Sequence, residues 1–421
     1  MGDQSGEGAA APDDDEPSGA PGDQRRPAIS DLKRLLIAHD LAVEAGAETG
    51  VALEGTISDD DPLPSSNTVL DRLNVRIAIE REQGAAQSDE IASAIDAARD
   101  TLMRYAAPAL RKLESGEDEL TDDERGALEA VIVTDGTRPS FLLCNGRPDL
   151  DDPTMGAWLA MTTAHRDNIE RIANAVGRIQ PEHGSAAKYF GTGSLVDAAK
   201  GLVLTNFHVI ADAKSRGVAM SQNDRTITIE GKLEIDFIGE ACSLKTNRYR
   251  IVSIDLPEDY GAGFGSTDAA VARIESLPDS GPLPKPVPLL SSYPAYAQGA
   301  MSSLATIGFP GQPPVQDGVV NGVDWGMITR TLFRNIFGCK RIAPGTFTSP
   351  LGTRADDRKK TAFGHNATTF GGASGSLISA WGDTDAPCFG LHFFGATGKE
   401  NNALAFAAVP DPLRAIGVPI A

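Results

Sequence analysis

The sequence predicts a multidomain α and β protein, an N-terminal helical bundle followed by an all-β barrel or sandwich domain. Three observations carry this reading. The chain has 421 residues, more than one ordinary core of roughly 100–250 residues organises, so two domains plus tails are expected. Apolar residues between about 28 and 135 recur at helical spacing, every three or four positions. Beyond residue 176 the texture changes to short β-rich runs broken by Gly, Pro, Asp and Asn, the pattern of strands joined by tight turns.

Taken in order, residues 1–27 hold seven acidic side chains and two arginines among Gly, Pro, Ala and Ser. Such a segment buries too little apolar surface to offset the entropy of ordering, and a disordered acidic tail is expected. Residues 28–150 are assigned to the helical domain. Pro27 and Ser30 open a first helix carrying Leu32, Leu35, Leu36 and Leu41; Leu70, Leu73, Val75 and Ile77 mark a second; Ser88, with Glu90 nearby, opens a third carrying Ile91, Ile95, Ala98, Leu102 and Tyr105. Thr121-Asp-Asp-Glu124 has the form of a capping box. Arg138–Cys144 reads as a short strand, and 151–175 as a connecting helix, running from about Thr154 to Ala175, with Trp158, Leu159, Ile169 and Ile172. In the β-rich domain, 176–421, the runs are Tyr189–Val196, Leu202–Val209, Arg225–Glu230, Tyr249–Ile254, Ala269–Ile274, Leu304–Phe309 and Leu391–Phe394.

Composition narrows the function classes. With 41% hydrophobic and 23% charged residues the chain is of globular type. A formal net charge of -20 repels phosphate backbones, so nucleic acid is not an expected partner. No run approaches the 18 or so apolar residues of a membrane helix. The acidic, Gly- and Pro-rich start lacks the basic and apolar stretches of a signal peptide, which makes a cytoplasmic location the expectation. Cys144, Cys242, Cys339 and Cys388 lie far apart with no Cys-x-x-Cys spacing, and are expected to be reduced and mostly buried. Metal ligands do not cluster and the Gly-rich stretches lack a Lys-Ser or Lys-Thr ending, so no metal, nucleotide or other cofactor is expected.

Peptide hydrolysis by serine needs a nucleophile, a base within reach, a carboxylate to orient that base, and donors for the developing oxyanion. Gly372-Ala373-Ser374-Gly375-Ser376 places a serine between glycines in a tight turn, so that the N–H groups of Gly372 and Ser374 can converge on one oxygen. Gly193-Ser-Leu-Val196 followed by Leu202-Val-Leu-Thr-Asn-Phe-His208-Val209 resembles the strand pair that presents the catalytic histidine in trypsin-like serine proteases. Asp268-Ala-Ala-Val-Ala272 resembles the aspartate that begins a buried strand in that family, and Ile307-Gly-Phe-Pro-Gly311 the start of its second barrel. The order is the family's, with gaps of 60 and 106 residues between His208, Asp268 and Ser374. Each motif alone occurs by chance; together and in order they point to a catalytic triad. The resemblance implies a chymotrypsin-type double six-stranded antiparallel barrel over 176–421, with a protein or peptide as substrate.

In this family the side chain before the scissile bond enters a pocket that here falls on Thr368, Thr369 and Phe370 on one side and Leu391, His392, Phe393, Phe394 and Gly395 on the other. Thr369 with His392 resembles the glutamyl endopeptidases, which implies an acidic preference; no acid stands at 368 or 369 to meet Arg or Lys. His392 as a packed strand histidine is the bland alternative, and His365, read as a loop residue, is a substitute for it. The substrate backbone is expected to pair along Phe393–Gly395. Ala373 stands where digestive proteases carry an aspartate, and Ser185–Phe190 shows no apolar activation site. Control is therefore expected through loop ordering or through 28–150, which in layout resembles helical adaptor modules of bacterial signalling and defence proteases and is a candidate surface for an activating protein. The rival reading is a catalytically silent barrel that binds peptides or acts as a scaffold.

Overall fold

The computed structural model describes residues 33, 36 and, from 63 onward, all but 86–88, 118, 122–123, 125–126, 129–138, 151, 153–154, 156–157, 293–302, 312–318, 321–322, 325–334, 355–356 and 396–400. The expected acidic tail and nearly all of the first expected helix lie outside the described residues.

Helices α1 (Ser66–Ala85) and α2 (Asp89–Glu114) build the N-terminal module. Their shared core holds Leu70, Leu73, Ile77, Ile95 and Leu102 from the expected apolar faces, with Leu36 against them. Val75 instead is 64% exposed, because two positions from Leu73 a helical residue faces the other way. The capping box forms as read: Thr121 N–H donates to Glu124 Oε2 at 2.8 Å and Glu124 N–H to Thr121 Oγ1 at 3.2 Å.

Next come β1 (Phe141–Cys144), β2 (Arg147–Pro148), α3 (Leu159–Ala164) and α4 (Arg166–Ala175). The single helix expected over 154–175 is broken at His165, whose φ of -111° and ψ of 21° leave helical geometry. Val176 then enters β3 (Val176–Pro181) directly.

The first barrel continues with β4 (Gly191–Asp197), β5 (Leu202–Thr205), α5 (Phe207–Ser215), β6 (Met220–Asn223), β7 (Thr226–Ile229), β8 (Leu233–Asp236), β9 (Arg248–Asp255) and β10 (Ala270–Ser276). Six strands close in the order β10-β5-β4-β3-β8-β9, sealed by β10 on β9, with the β6–β7 hairpin appended. The second barrel uses β11 (Ser303–Gly308), β14 (Arg341–Ser349), β15 (Ala362–His365), β16 (Leu377–Ser379), β17 (Cys388–Gly395) and β18 (Asn401–Ala405); the short hairpin β12 (Val319–Val320) and β13 (Val323–Asp324) stands apart, and α6 (Pro410–Ala415) follows. Its six strands run β11-β16-β17-β18-β15-β14, sealed by β11 on β14. This is the double barrel that the resemblance implies. Strand β1 adds to the edge of β14, with Phe141 opposite Ile342, so the segment before the connecting helices belongs with the second barrel.

One buried apolar cluster spans both barrels, from Ile179 and Val203 to Phe309 and Leu377. Between them lies a polar seam. Arg178 donates to Gln180 Oε1 at 2.8 Å and to Gly338 O at 2.6 Å, and Lys340, 1% exposed, donates to the carbonyls of Ala173 and Phe237, both at 2.7 Å. Burial pushes the Lys340 amine down to about 8.

The expectation of reduced cysteines fails at one pair. Cys144 and Cys242 are disulfide-bonded across 98 residues with their α-carbons 5.7 Å apart, a normal separation for the bond. Spacing alone does not show that the β1–β2 turn folds back onto the loop after β8. There Glu240 accepts the Asn145 N–H at 2.6 Å and the Gly146 N–H at 2.8 Å. Cys339 and Cys388 are free, and Cys388 is buried.

Candidate active site

His208 and Asp268 meet as the sequence predicts, but from a different element. The run Leu202–Val209 was expected to be strand throughout; β5 stops at Thr205, and His208 sits in the first turn of α5. Asn206 makes the break. Its backbone stays extended (φ -83°, ψ 151°) in the manner of a residue preceding a helix, while its side-chain amide donates to Asp268 O at 2.7 Å. The next turn then aims His208 at the same aspartate: His208 Nδ1 lies 2.8 Å from Asp268 Oδ2 and the His208 N–H donates to Oδ1 at 3.1 Å. Gly263 N–H adds a third contact, to Oδ2 at 3.2 Å. Asp268 is 2% exposed, and its contact with Nδ1 orients the imidazole so that Nε2 is the ring nitrogen turned away from the aspartate.

Ser374 lies in the second barrel, in the turn before β16. The motif contains two serines and the fold separates them: Ser376 is fully buried, Ser374 partly exposed. Thr192 on β4 holds the turn from the first barrel, its N–H donating to Ser374 O at 2.9 Å and its hydroxyl to Gly372 O at 2.8 Å. A β-carbon on Gly191 would touch Val209, next to His208, at 2.7 Å and Ser374 O at 3.2 Å, so the histidine helix and the serine turn pack on one strand.

The glycines shape the turn before Ser374. Ala373 N–H donates to Phe370 O at 2.9 Å, and Gly372 has φ +93°, which together make a type II turn that needs glycine at its third position. Gly311 N–H binds Gly371 O at 2.5 Å. In a trans peptide the carbonyl and the following N–H point oppositely, so fixing Gly371 O on Gly311 turns the Gly372 N–H away from Gly311. Spacing along the chain shows Gly372 and Ser374 in one motif but not the hold of Gly311 on Gly371, although Gly311 closes the Ile307–Gly311 motif.

Of the expected pocket residues, those on β17 and Thr369 lie near the serine turn, whereas Phe370 packs against the core of the helical module. His392 N–H donates to Ser376 O at 2.8 Å, and Gly375 N–H to His392 O at 3.0 Å. Thr369 Oγ1 would lie 3.5 Å from a β-carbon on Gly395, so the two expected walls face each other. Thr368 is partly buried beside them. Phe393 is buried and Phe394 is 41% exposed; both pack edge-on against Phe264, at 5.1 and 5.6 Å between ring centroids. His365 is not a loop residue. It ends β15, fully buried, with Nε2 at 3.2 Å from His392 Nδ1. Burial drives His365 well below its ordinary range and His392 down to about 3, with His208 adding to the effect on His392. Both imidazoles are therefore neutral around neutral pH.

A family model described as a trypsin-like peptidase domain matches residues 191–379. The chain is also 50% identical over 391 residues, 92% of its own length and 98% of the relative's, to a probable serine protease of Lysobacter enzymogenes. With two closed barrels and the predicted histidine and aspartate in contact across the first of them, the chain belongs to the trypsin-like serine protease family and is a serine endopeptidase.

Proposed function

We propose that hydrolysis runs through an acyl-enzyme on Ser374. His208 Nε2 takes the hydroxyl proton as Ser374 Oγ forms its bond to the scissile carbonyl carbon; the C–N bond then breaks and the same proton passes to the leaving amine. Water, deprotonated by His208, then bonds to the acyl carbon; the C–Oγ ester bond breaks, the acid product leaves, and the proton passes from His208 to Ser374 Oγ. Asp268 holds the imidazole and stabilises its charged form, and the N–H groups of Gly372 and Ser374 receive the oxyanion. The observation that carries this reading is the buried Asp268 bonded to both the ring and the backbone N–H of His208. Cleavage of an unrelated protein by the wild type and none by Ser374→Ala supports it; equal cleavage by both sinks it.

For specificity we propose an acidic residue before the scissile bond, met by the Thr368 and Thr369 hydroxyls and the neutral His392. A neutral imidazole N–H and hydroxyls donate to a carboxylate without a fixed positive charge. The 3% exposure of His392 favours a second reading in which the ring only packs the pocket floor and size alone selects the side chain. A peptide library separates them: Glu or Asp before the cut supports the first, apolar residues the second, and Arg or Lys neither. We further propose that the N-terminal helical module regulates the protease and offers the surface for an activating protein. For location, the Cys144–Cys242 bond favours an oxidising compartment over the cytoplasm suggested by the N-terminal composition, because disulfides persist where thiols are not kept reduced.

A further inference from the structure

Two partly buried aromatic residues of the protease pack against the core of the helical module. Phe337 and Phe370 pack against the cluster built by Leu73, Leu102, Leu110 and their neighbours on α1 and α2, and β13 runs beside α2. Neither position is remote from the chemistry. Phe370 is the first residue of the type II turn that presents Gly372, and its carbonyl accepts the bond from Ala373 that closes that turn. Phe337 lines an open cavity of about 610 Å³ together with Tyr189, Phe190, Arg216, Gly371 and Gly372, on the side of the oxyanion turn that faces α5.

A hydrogen-bonded relay joins the two aromatics. The residue after Phe337, Gly338, donates to Pro310 O at 2.8 Å, and the residue after Pro310, Gly311, donates to Gly371 O at 2.5 Å. Space along this relay is tight. A β-carbon on Gly338 would meet Ala186 O at 2.0 Å, and one on Gly311 would meet Gly371 O at 2.6 Å, so a displacement of Phe337 passes to the Gly371 carbonyl rather than being absorbed. The module thus grips the oxyanion turn at its start through Phe370, and grips through Phe337 the lock that orients its central peptide. Thr192 holds the inner side of the same turn.

We infer that the helical module is a working part of the active site: by packing on Phe337 and Phe370 it holds the Gly371–Gly372 peptide with its N–H toward the cleft. Phe337 and Phe370 are positioning residues, and undocking the module removes oxyanion stabilisation without removing the nucleophile. This rests on Ser374 being the nucleophile, and it gives the regulatory role proposed for the module a direction, since docking activates.

The test uses the full chain with Phe370→Ala, Phe370→Leu and Leu102→Asp, the last placed wholly inside the module core. Active sites are counted by stoichiometric labelling with a serine-reactive phosphonate, and turnover is expressed per labelled site. The expected result is full labelling at a slower rate for Phe370→Ala and Leu102→Asp, with kcat lowered at least about tenfold, KM within about twofold, and kcat largely restored in Phe370→Leu. Wild-type kcat per site in both disruptive variants overturns the inference, as does a raised kcat, which would make the module an inhibitory cover. A fall in KM-dependent binding alone also overturns it. Failure of the wild type itself to label refutes the Ser374 reading and the inference with it, and is told apart from the other failures because it needs no variant.

Discussion

At the scale of single residues, the site depends on what surrounds its buried ionisable side chains. Asp268 stays buried with every contact on it a donor, so replacing its carboxylate by an amide leaves the shape and loses the tautomer control. Asp268→Asn is expected to lower kcat on the order of 10⁴-fold with little change in KM, measured on a peptide substrate at neutral pH. His392 shows the opposite treatment. Its ring is held down to about 3 by burial, while an unfolded imidazole titrates near 6.5. Between those two pH values the unfolded chain binds a proton that the folded chain refuses, so stability falls as the pH drops from about 6.5 toward 3. Thermal melts across that window are expected to show a slope on the acid side that becomes shallower in His392→Leu; an unchanged slope would assign the acid sensitivity to other groups. The His208–Asp268 contact was legible in the sequence because its motifs are local. The His365–His392 contact was not, since it joins β15 and β17 through β18, which lies between them in the sheet.

At the scale of elements, the turn before Ser374 is held from outside as well as from within. Its hydrogen bonds come from three places: Phe370 within it, Thr192 in the first barrel and Gly311 after β11. Gly311→Ala forces a β-carbon to 2.6 Å from Gly371 O and 2.9 Å from the Tyr189 hydroxyl, which breaks the bond orienting the Gly372 N–H. A loss of about 10²- to 10³-fold in kcat with nearly constant KM is expected; a loss confined to KM would mean that Gly311 shapes the pocket instead. Elements with local signals were read correctly, the Thr121–Glu124 capping box among them. The end of β5 was misread because Leu202–Val209 is apolar enough for a strand throughout, and only the tertiary use of the Asn206 amide on Asp268 O shows why the chain turns into α5.

At the scale of the whole molecule, the parts are tied across long sequence distances. The Cys144–Cys242 bond joins the β1–β2 turn, itself on the edge of the second barrel, to the first barrel. Cys242→Ser is expected to destabilise the chain by about 2–4 kcal/mol, read as a lowered melting temperature that matches that of reduced wild type. Lys359 of the second barrel reaches Asp259 of the first, which also accepts the Thr267 hydroxyl at 3.0 Å, next to Asp268. These ties were not legible in the sequence, because cysteine and charge spacing along a chain says nothing about which loops fold together. The most direct test of the central claim is peptide mapping of the chain after reaction with a serine-reactive phosphonate. The account predicts one adduct, on Ser374, abolished in Ser374→Ala and strongly slowed in His208→Ala. An adduct on another residue, or none on a chain that still cuts protein, would contradict it.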